Sequence, residues 1–138
     1  MKTARRISVM LLATLALAAC SSEPDDDDDG NHVPSGWIRG QYSSSGADYV
    51  DRTDATSKVA GEIDGNTPAV ARLTDGGKEF LRYRDDIVAI SPHISGTGSL
   101  IEIADYRTGY HRWRTHLGSS WPDPDSAAFR GGGPGSGK

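Results

Sequence analysis

The sequence predicts a small α+β domain, in which one or two helices cover one face of a three- to four-stranded antiparallel β-meander. Apolar residues recur at helical spacing early in the domain, whereas from Val70 onward short apolar segments alternate with turn residues. We expect the domain to span residues 35–121. A chain of this length has room for a single modest core.

Two segments have the apolar spacing of short helices. The first lies within 35–42 and would place Trp37, Ile38, Gln41 and Tyr42 on one side. The second has Asp54 as a candidate N-cap and is expected to end at Asp64-Gly65. Its apolar residues, Ala55, Val59 and Ile63, are four positions apart. Residues 43–46, between the two helices, are expected to form a loop.

The second half of the domain has the pattern of a β-meander, with turn residues at 75–77, 84–86 and 95–98. The candidate strands are residues 70–73, 79–83, 87–91, 99–104 and 110–114. The strands at 87–91 and 99–104 carry apolar residues on both faces. We therefore expect these two strands to be central.

Residues 1–19 have the layout of a secretory signal peptide, with basic residues before a mostly apolar stretch at 9–19. Crossing a bilayer as a helix takes about 20 apolar residues, so this stretch favours an export signal. Arg5-Arg6 leave the export route open between the general secretory and twin-arginine pathways.

The segment Leu-Ala-Ala-Cys at 17–20 resembles the bacterial lipobox. This resemblance implies that a diacylglyceryl group is attached to the Cys20 thiol and that the chain is cleaved before it. An ordinary signal peptide with an incidental cysteine is the alternative. We expect the mature protein to be lipid-anchored at the extracytoplasmic face of the cell membrane. Because Cys20 is the only cysteine, no internal disulfide can form.

Residues 20–34 are expected to be a disordered acidic tether, because Asp25–Asp29 form an unbroken run of like charges. Calcium binding is the alternative, but calcium loops space their carboxylates around a sharp turn. From Gly30 onward the chain has 12 basic and 13 acidic residues. This balance argues against a nucleic-acid partner.

Several other motifs have simpler structural explanations. Residues 132–138 match G-x-x-x-x-G-K, but the chain stops where a nucleotide-binding loop needs a following helix, so we expect no nucleotide. Residues 122–138 are expected to be a disordered tail rich in proline and glycine. Residues 95–99 could cradle an anion, although a flexible loop has the same composition. The four histidines lack metal-ligand spacing, so we expect no metal and no cofactor.

The stretch 105–114 places aromatic rings beside cations, as binding surfaces often do. The candidate interaction residues are Arg107, Tyr110, His111, Arg112, Trp113 and Arg114. Strand alternation offers a structural explanation, in which His111 and Trp113 lie on one face of a last strand and Tyr110, Arg112 and Arg114 on the opposite face.

The segments FLRYRDDIVAISP, IEIADYRTGYHRWR and FRGGGPGSGK resemble an actinobacterial lipoprotein family known as domain of unknown function 4247. The resemblance implies an envelope lipoprotein, with no established activity or catalytic residues to carry over. The resemblance therefore adds an expected cellular location to the fold prediction, but no expected activity.

These observations favour a non-enzymatic envelope module that contacts the membrane through its lipid and binds an envelope protein or an anionic polymer. An envelope enzyme is the alternative, with Asp85, Asp86 and Glu102 as its acid/base candidates. The pair Asp85-Asp86 also fits an ordinary hairpin turn. A third hypothesis is an accessory part of a membrane complex that orders only on assembly.

Overall fold

A computed structural model describes residues 31–130 of the protein, with the exception of the Arg130 side chain. The fold is α+β, as the sequence predicts, but the sheet has six antiparallel strands. The strands are β1 (Ser43–Ser45), β2 (Asp48–Asp51), β3 (Ala71–Asp75), β4 (Lys78–Arg82), β5 (Asp86–Pro92) and β6 (Ser99–Asp105). The helices are α1 (Ser35–Gln41), α2 (Thr56–Asn66), α3 (Tyr106–Arg112), α4 (Arg114–Leu117) and α5 (Ala127–Arg130).

The sheet combines a four-stranded meander with a hairpin added at its end, in the order β1-β2-β6-β5-β4-β3. Strands β3 to β6 pair consecutively, and Ile90 of β5 lies opposite Ile101 of β6. Strand β2 then pairs with the other edge of β6, where Tyr49 lies opposite Ile101. Residues 43–46, expected to form a loop, therefore contain the edge strand β1, paired with β2. Both central strands of the prediction, β5 and β6, are interior to the sheet.

Helices α1 and α2 cover the first face of the sheet, as the apolar spacing predicts. Val59, Ala60 and Ile63 of α2 are fully buried against side chains of the sheet. Asp54 does not cap α2: the N-cap is Ala55, which makes no side-chain capping bond. Asp54 instead accepts a hydrogen bond from Lys58 Nζ at 2.8 Å. The helix begins at Thr56 and ends at Asn66.

Helices α3 and α4 cover the second face, for which the sequence predicts no helical layer. Here Phe80 of β4 and Ile87 and Ala89 of β5 pack against the two helices and Trp121. A sheet with apolar residues on both faces must be covered on both, because either face would otherwise expose them to water. The apolar pattern of 87–91 therefore already required a second layer.

Residues 110–114 were expected to be a strand, and this prediction is wrong: Tyr110 lies in α3 and Arg114 begins α4. Asp105 starts α3 by accepting a hydrogen bond from the Thr108 backbone N–H at 3.0 Å. The buried residues of this region, Tyr106, Gly109, Tyr110, Trp113 and Leu117, recur every three or four positions. That spacing is helical, whereas a window of only five residues also fits strand alternation.

The packed part of the chain continues beyond Trp121, where the domain was expected to end. Tyr106 Oη donates a hydrogen bond to the Pro122 carbonyl at 2.8 Å, and Pro124 is fully buried. The Phe129 ring stacks on Tyr106 with 5.1 Å between centroids. Residues 122–130 therefore form a strap across α3. We use the term C-terminal strap for these nine residues.

Four predictions fall outside residues 31–130: the signal peptide at 1–19, the lipidated Cys20, the aspartate run at 25–29 and the glycine-rich motif at 132–138. Within the described range, no helix is long and apolar enough to cross a bilayer.

Helix α3 approaches β5 closely because residue 109 is a glycine. A Cβ atom at Gly109 would lie 2.8 Å from Trp113 Cζ3 and 3.2 Å from Ile87 Cβ. Both neighbours are buried, so neither side chain can move aside without disturbing the second layer.

Gly109→Ala is expected to lower the free energy of unfolding by about 2 kcal/mol through overpacking. Gly61→Ala is the matched control, because Gly61 also lies within a helix but a Cβ atom there would have no neighbour within 4 Å. The control is expected to stabilise by roughly 0.5–1 kcal/mol, since alanine favours helix. Urea unfolding measures the stability of both variants. If Gly109→Ala left the free energy of unfolding unchanged or raised it, as Gly61→Ala is expected to do, the close approach of α3 to β5 would be contradicted.

Candidate functional site

The six predicted interaction residues separate into two groups on α3 and α4. Tyr110 and Trp113 are only 2% and 5% exposed and belong to the second-face core. Arg107, His111, Arg112 and Arg114 are exposed. This division follows from the helix, which turns the aromatic rings inward and the cations outward. We call the four exposed residues the basic face.

The cations of the basic face differ in how far they are neutralised. Arg107 Nη1 forms an ion pair with Asp125, and His111 Nε2 lies 3.1 Å from the same carboxylate. Arg112 Nη1 is 3.7 Å from Glu102 Oε1, and its guanidinium lies over the Trp113 ring at 5.4 Å. Asp125 belongs to the C-terminal strap, so the strap compensates one end of the basic face.

Arg114 is the exception on the basic face. Among residues 31–130 its side chain has no ion pair and no hydrogen bond. Its backbone carbonyl accepts a hydrogen bond from the Gly118 N–H at 2.8 Å. The guanidinium is thus an exposed positive charge that the domain itself does not use.

The three carboxylates of the enzyme hypothesis do not assemble into a site. Asp85 is exposed in the turn before β5, and Asp86 is the first residue of that strand. Glu102 lies opposite Ala89, three positions further along the ladder, and pairs with Arg112. Three positions correspond to about 10 Å along a strand. The turn interpretation of Asp85-Asp86 therefore fits their placement.

Asp86 lies opposite Asp105 across the β5–β6 ladder, so two carboxylates meet at the start of α3. Burial raises the pKa of Asp86, and the negative charges of Asp85 and Asp105 raise it further. Hydrogen bonds from the Thr108 side chain and backbone lower the pKa of Asp105. Asp105 thus serves as the cap of α3, whereas the ionised form of Asp86 is disfavoured in the folded protein.

A groove of about 380 Å³ lies at the opposite end of β5 from Asp86, between the β1–β2 hairpin and the β5–β6 loop. Its lining residues are Ser43, Ser44, Ser45, Val50, Arg52, His93, Ser95 and Thr97. We call it the serine groove. By ladder pairing, Ser43 and Val50 lie on the same face of the sheet as Leu100 and Ser91. This is the second face, so the groove and the basic face share one side of the domain.

The β5–β6 loop, for which the sequence left open an anion cradle or a flexible turn, forms one wall of the serine groove. The His93 N–H donates to the Gly98 carbonyl at 3.0 Å and the Gly96 N–H to the His93 carbonyl at 2.9 Å. Gly98 has a φ of +82°, and a Cβ there would lie 2.1 Å from the Asp51 carbonyl oxygen. Only glycine fits at this contact. The loop is thereby fixed against the end of β2.

An acidic cluster not expected from the sequence lies on the other side of β2, where carboxylate oxygens of Asp51, Asp54 and Glu62 approach within 4.8 Å of one another. Asp51 Oδ1 accepts the backbone N–H groups of Thr53 and Asp54, both at 2.8 Å. Lys58 Nζ lies 2.8 Å from Asp54 and 4.0 Å from Glu62. The Lys58 ammonium therefore already supplies a positive charge to the cluster.

These features define the class of protein: a small α+β domain with helices on both faces of a six-stranded antiparallel sheet and with polar surfaces on its second face. Residues 14–138 match the family model described as Domain of unknown function (DUF4247), and the chain belongs to that family. Neither the curated proteins nor the solved structures contain a match to the chain.

The raised pKa of Asp86 predicts a pH-dependent effect of Asp86→Asn on stability. Because the folded state binds the Asp86 proton more tightly than the unfolded chain, ionisation of Asp86 weakens folding as the pH rises through its folded pKa. Asp86→Asn is therefore expected to stabilise by about 0.5 kcal/mol at pH 7 and to lose that gain near pH 3, where the wild-type carboxyl is protonated.

Thermal unfolding at the two pH values measures this effect. Asp48→Asn is a suitable control, since Asp48 is also half-buried in a strand but lies in the β1–β2 hairpin, away from Asp85 and Asp105. A gain from Asp86→Asn that is equal at pH 3 and pH 7 would contradict the repulsion between the carboxylates.

Proposed function

We propose that the protein is a lipid-anchored, non-enzymatic binding module of the bacterial cell envelope, whose basic face contacts an anionic envelope polymer. The Leu-Ala-Ala-Cys segment at 17–20 and the apolar stretch before it support the anchor. The resemblance to an actinobacterial lipoprotein family supports the envelope setting. Membership of the DUF4247 family is consistent with this proposal and adds no activity.

The observation that carries the proposal is the outward-facing set of cations on α3 and α4. Tyr110 and Trp113 anchor the helices in the core, so the arginines project from a packed support. Because these two rings are buried, they cannot serve as the exposed aromatic anchors on which protein–protein contacts commonly depend. What remains on the surface is charge with little apolar area. Such a surface favours a polyanion over a protein partner.

The position of Asn31, the first described residue, supports an arrangement with the serine groove away from the membrane. The Asn31 carbonyl accepts a hydrogen bond from the Arg84 N–H at 2.8 Å, and Asn31 Nδ2 donates to the Pro68 carbonyl at 2.9 Å. Arg84 lies in the turn just before β5, whereas the serine groove lies beyond the end of that strand. Ten residues lie between Cys20 and Asn31, and the eleven steps along the chain can span at most about 40 Å.

Arg114→Ala is expected to weaken binding to the polymer about fivefold, because one exposed cation near an anionic surface contributes about 1 kcal/mol. The measurement is co-sedimentation of full-length protein in detergent with the insoluble cell-wall fraction of the bacterium that produces it. The same wall stripped of its anionic polymers shows whether binding depends on them. Affinity should also fall with added salt.

Arg39→Ala is the matched control, since Arg39 is an exposed arginine on α1, which covers the opposite face. It should leave wall binding unchanged. Equal losses of wall binding in Arg114→Ala and Arg39→Ala would indicate general charge attraction. Unchanged wall binding in a double variant that combines Arg114→Ala with Arg112→Ala would contradict the role of the basic face.

Cys20→Ser is expected to release the protein from the membrane fraction or to block its processing, because serine lacks the thiol that receives the lipid. Fractionation and the mass of the mature N-terminus measure both effects. Retention of the substituted protein in the membrane fraction, with processing unchanged, would contradict lipid anchoring at this residue.

A further inference from the structure

We infer that the serine groove is a binding site for a phosphorylated saccharide unit, in which serine and threonine hydroxyls contact the sugar and Arg52 binds the phosphate. The inference deepens the proposed function and rests on it in one respect: it names a repeating unit that an anionic envelope polymer would present. The groove itself is argued from its own residues.

The size and composition of the groove fit a small polar ligand. Its volume of about 380 Å³ lies within the range of small-molecule sites, roughly 300–1,000 Å³. Five of its eight lining residues carry hydroxyl groups, and Val50 is the only aliphatic side chain among them. A hydroxyl both donates and accepts hydrogen bonds, so it can pair with a sugar hydroxyl in either direction. An apolar ligand would leave these groups without partners.

Four of the five hydroxyls form no hydrogen bond among residues 31–130, and Ser43 and Ser45 carry theirs on the face of the sheet that the groove occupies. Within the described part of the chain, the side chains of Ser43, Ser44, Ser45 and Thr97 form no hydrogen bond with another protein group. The fifth hydroxyl, on Ser95, lies 2.7 Å from His93 Nδ1 and 3.1 Å from the Thr97 carbonyl. Ser95 thus orients the imidazole, while the hydroxyls of Ser43, Ser45 and Thr97 remain unpaired within this range.

The charges around the groove favour an anionic substituent on the sugar. Arg52 has no ion pair or hydrogen bond to another side chain among residues 31–130, and no carboxylate lines the groove. The neighbouring Asp51 lies on the opposite face, level with Ser99, and its oxygen is already bonded by Thr53 and Asp54. Arg52 can therefore offer its full positive charge to a phosphate, which matches the guanidinium in geometry.

His93 also lines the groove. Its Nδ1 lies 2.7 Å from Ser95 Oγ and 3.3 Å from the Ser95 backbone nitrogen, so Ser95 holds the ring in place. A phosphate oxygen accepts hydrogen bonds from both an imidazole N–H and a guanidinium. The groove thus combines the guanidinium of Arg52 and the imidazole of His93 with hydroxyls for a polyol.

A peptide strand added to the open edge of β1 fits these observations less well. Strand β1 has only three residues, so edge pairing could form few main-chain hydrogen bonds. It would also leave the charge of Arg52 unused. A saccharide phosphate uses the cation and the hydroxyls together.

The test is calorimetric titration of the full-length protein in detergent with glucose 6-phosphate, glucose and inorganic phosphate as separate probes. Glucose 6-phosphate is expected to bind at least tenfold more tightly than either of the other two. Arg52→Ala is expected to weaken its binding at least tenfold, and Ser43→Ala combined with Ser45→Ala at least threefold. Thermal unfolding verifies that each variant is folded, which these exposed positions should allow.

The controls separate this inference from the proposed function. Arg39→Ala should leave the affinity for glucose 6-phosphate unchanged, because Arg39 does not line the groove. Failure of glucose 6-phosphate to bind, equal affinity for inorganic phosphate, or binding unaffected by Arg52→Ala would each overturn the groove assignment. Wall binding that still depends on Arg114 in those cases would leave the proposed function standing.

Discussion

Strand β5 is the element on which the rest of the structure depends, because it is apolar on both faces. Val88 and Ile90 pack in the core beneath α1 and α2, whereas Ile87 and Ala89 pack beneath α3 and α4. A strand of this kind folds stably only between two layers that exclude water. With no cysteine among residues 31–130 to form a disulfide, burial on these two faces must supply most of the stability. The glycine at position 109 matters because it allows the second layer to approach β5 closely.

Most of the sheet and the first helical layer could be predicted from the sequence, because their signals are local. Strands β4 to β6 and helix α2 differ from the expected ranges by only one or two residues at most ends. The hairpin of β1 and β2 had little such signal, since Ser43–Ser45 is polar and exposed; it is a strand because the outer edge of β6 offers backbone hydrogen-bonding partners to the hairpin. Helix α3 was mistaken for a strand because Tyr110, Arg112 and Arg114 also fit a two-residue period.

The surfaces differ in how far a sequence can reveal them. The arginines of the basic face were predicted as a group because they are close together in the chain, but the inward turn of Tyr110 and Trp113 depends on helix phase. The serine groove could not be predicted, since its residues come from four separate segments: 43–45, 50–52, 93 and 95–97. Whether a serine hydroxyl is already paired also depends on tertiary contacts. Only the glycine-rich composition of the β5–β6 loop gave an early indication of this site.

The position of Asn31 has a mechanical consequence for an anchored protein. Asn31 is hydrogen-bonded at the end of the sheet where β5 begins, and the serine groove lies where β5 ends. A pull between a lipid anchor and a ligand held in the groove would pass from Asn31 along α1 into β1, because these segments are consecutive in the chain. Strand β1 is joined to β2 at only three paired positions, whereas the β5–β6 ladder has seven. Under such a load β1 would separate first, and the groove would lose one wall while β3 to β6 remained paired.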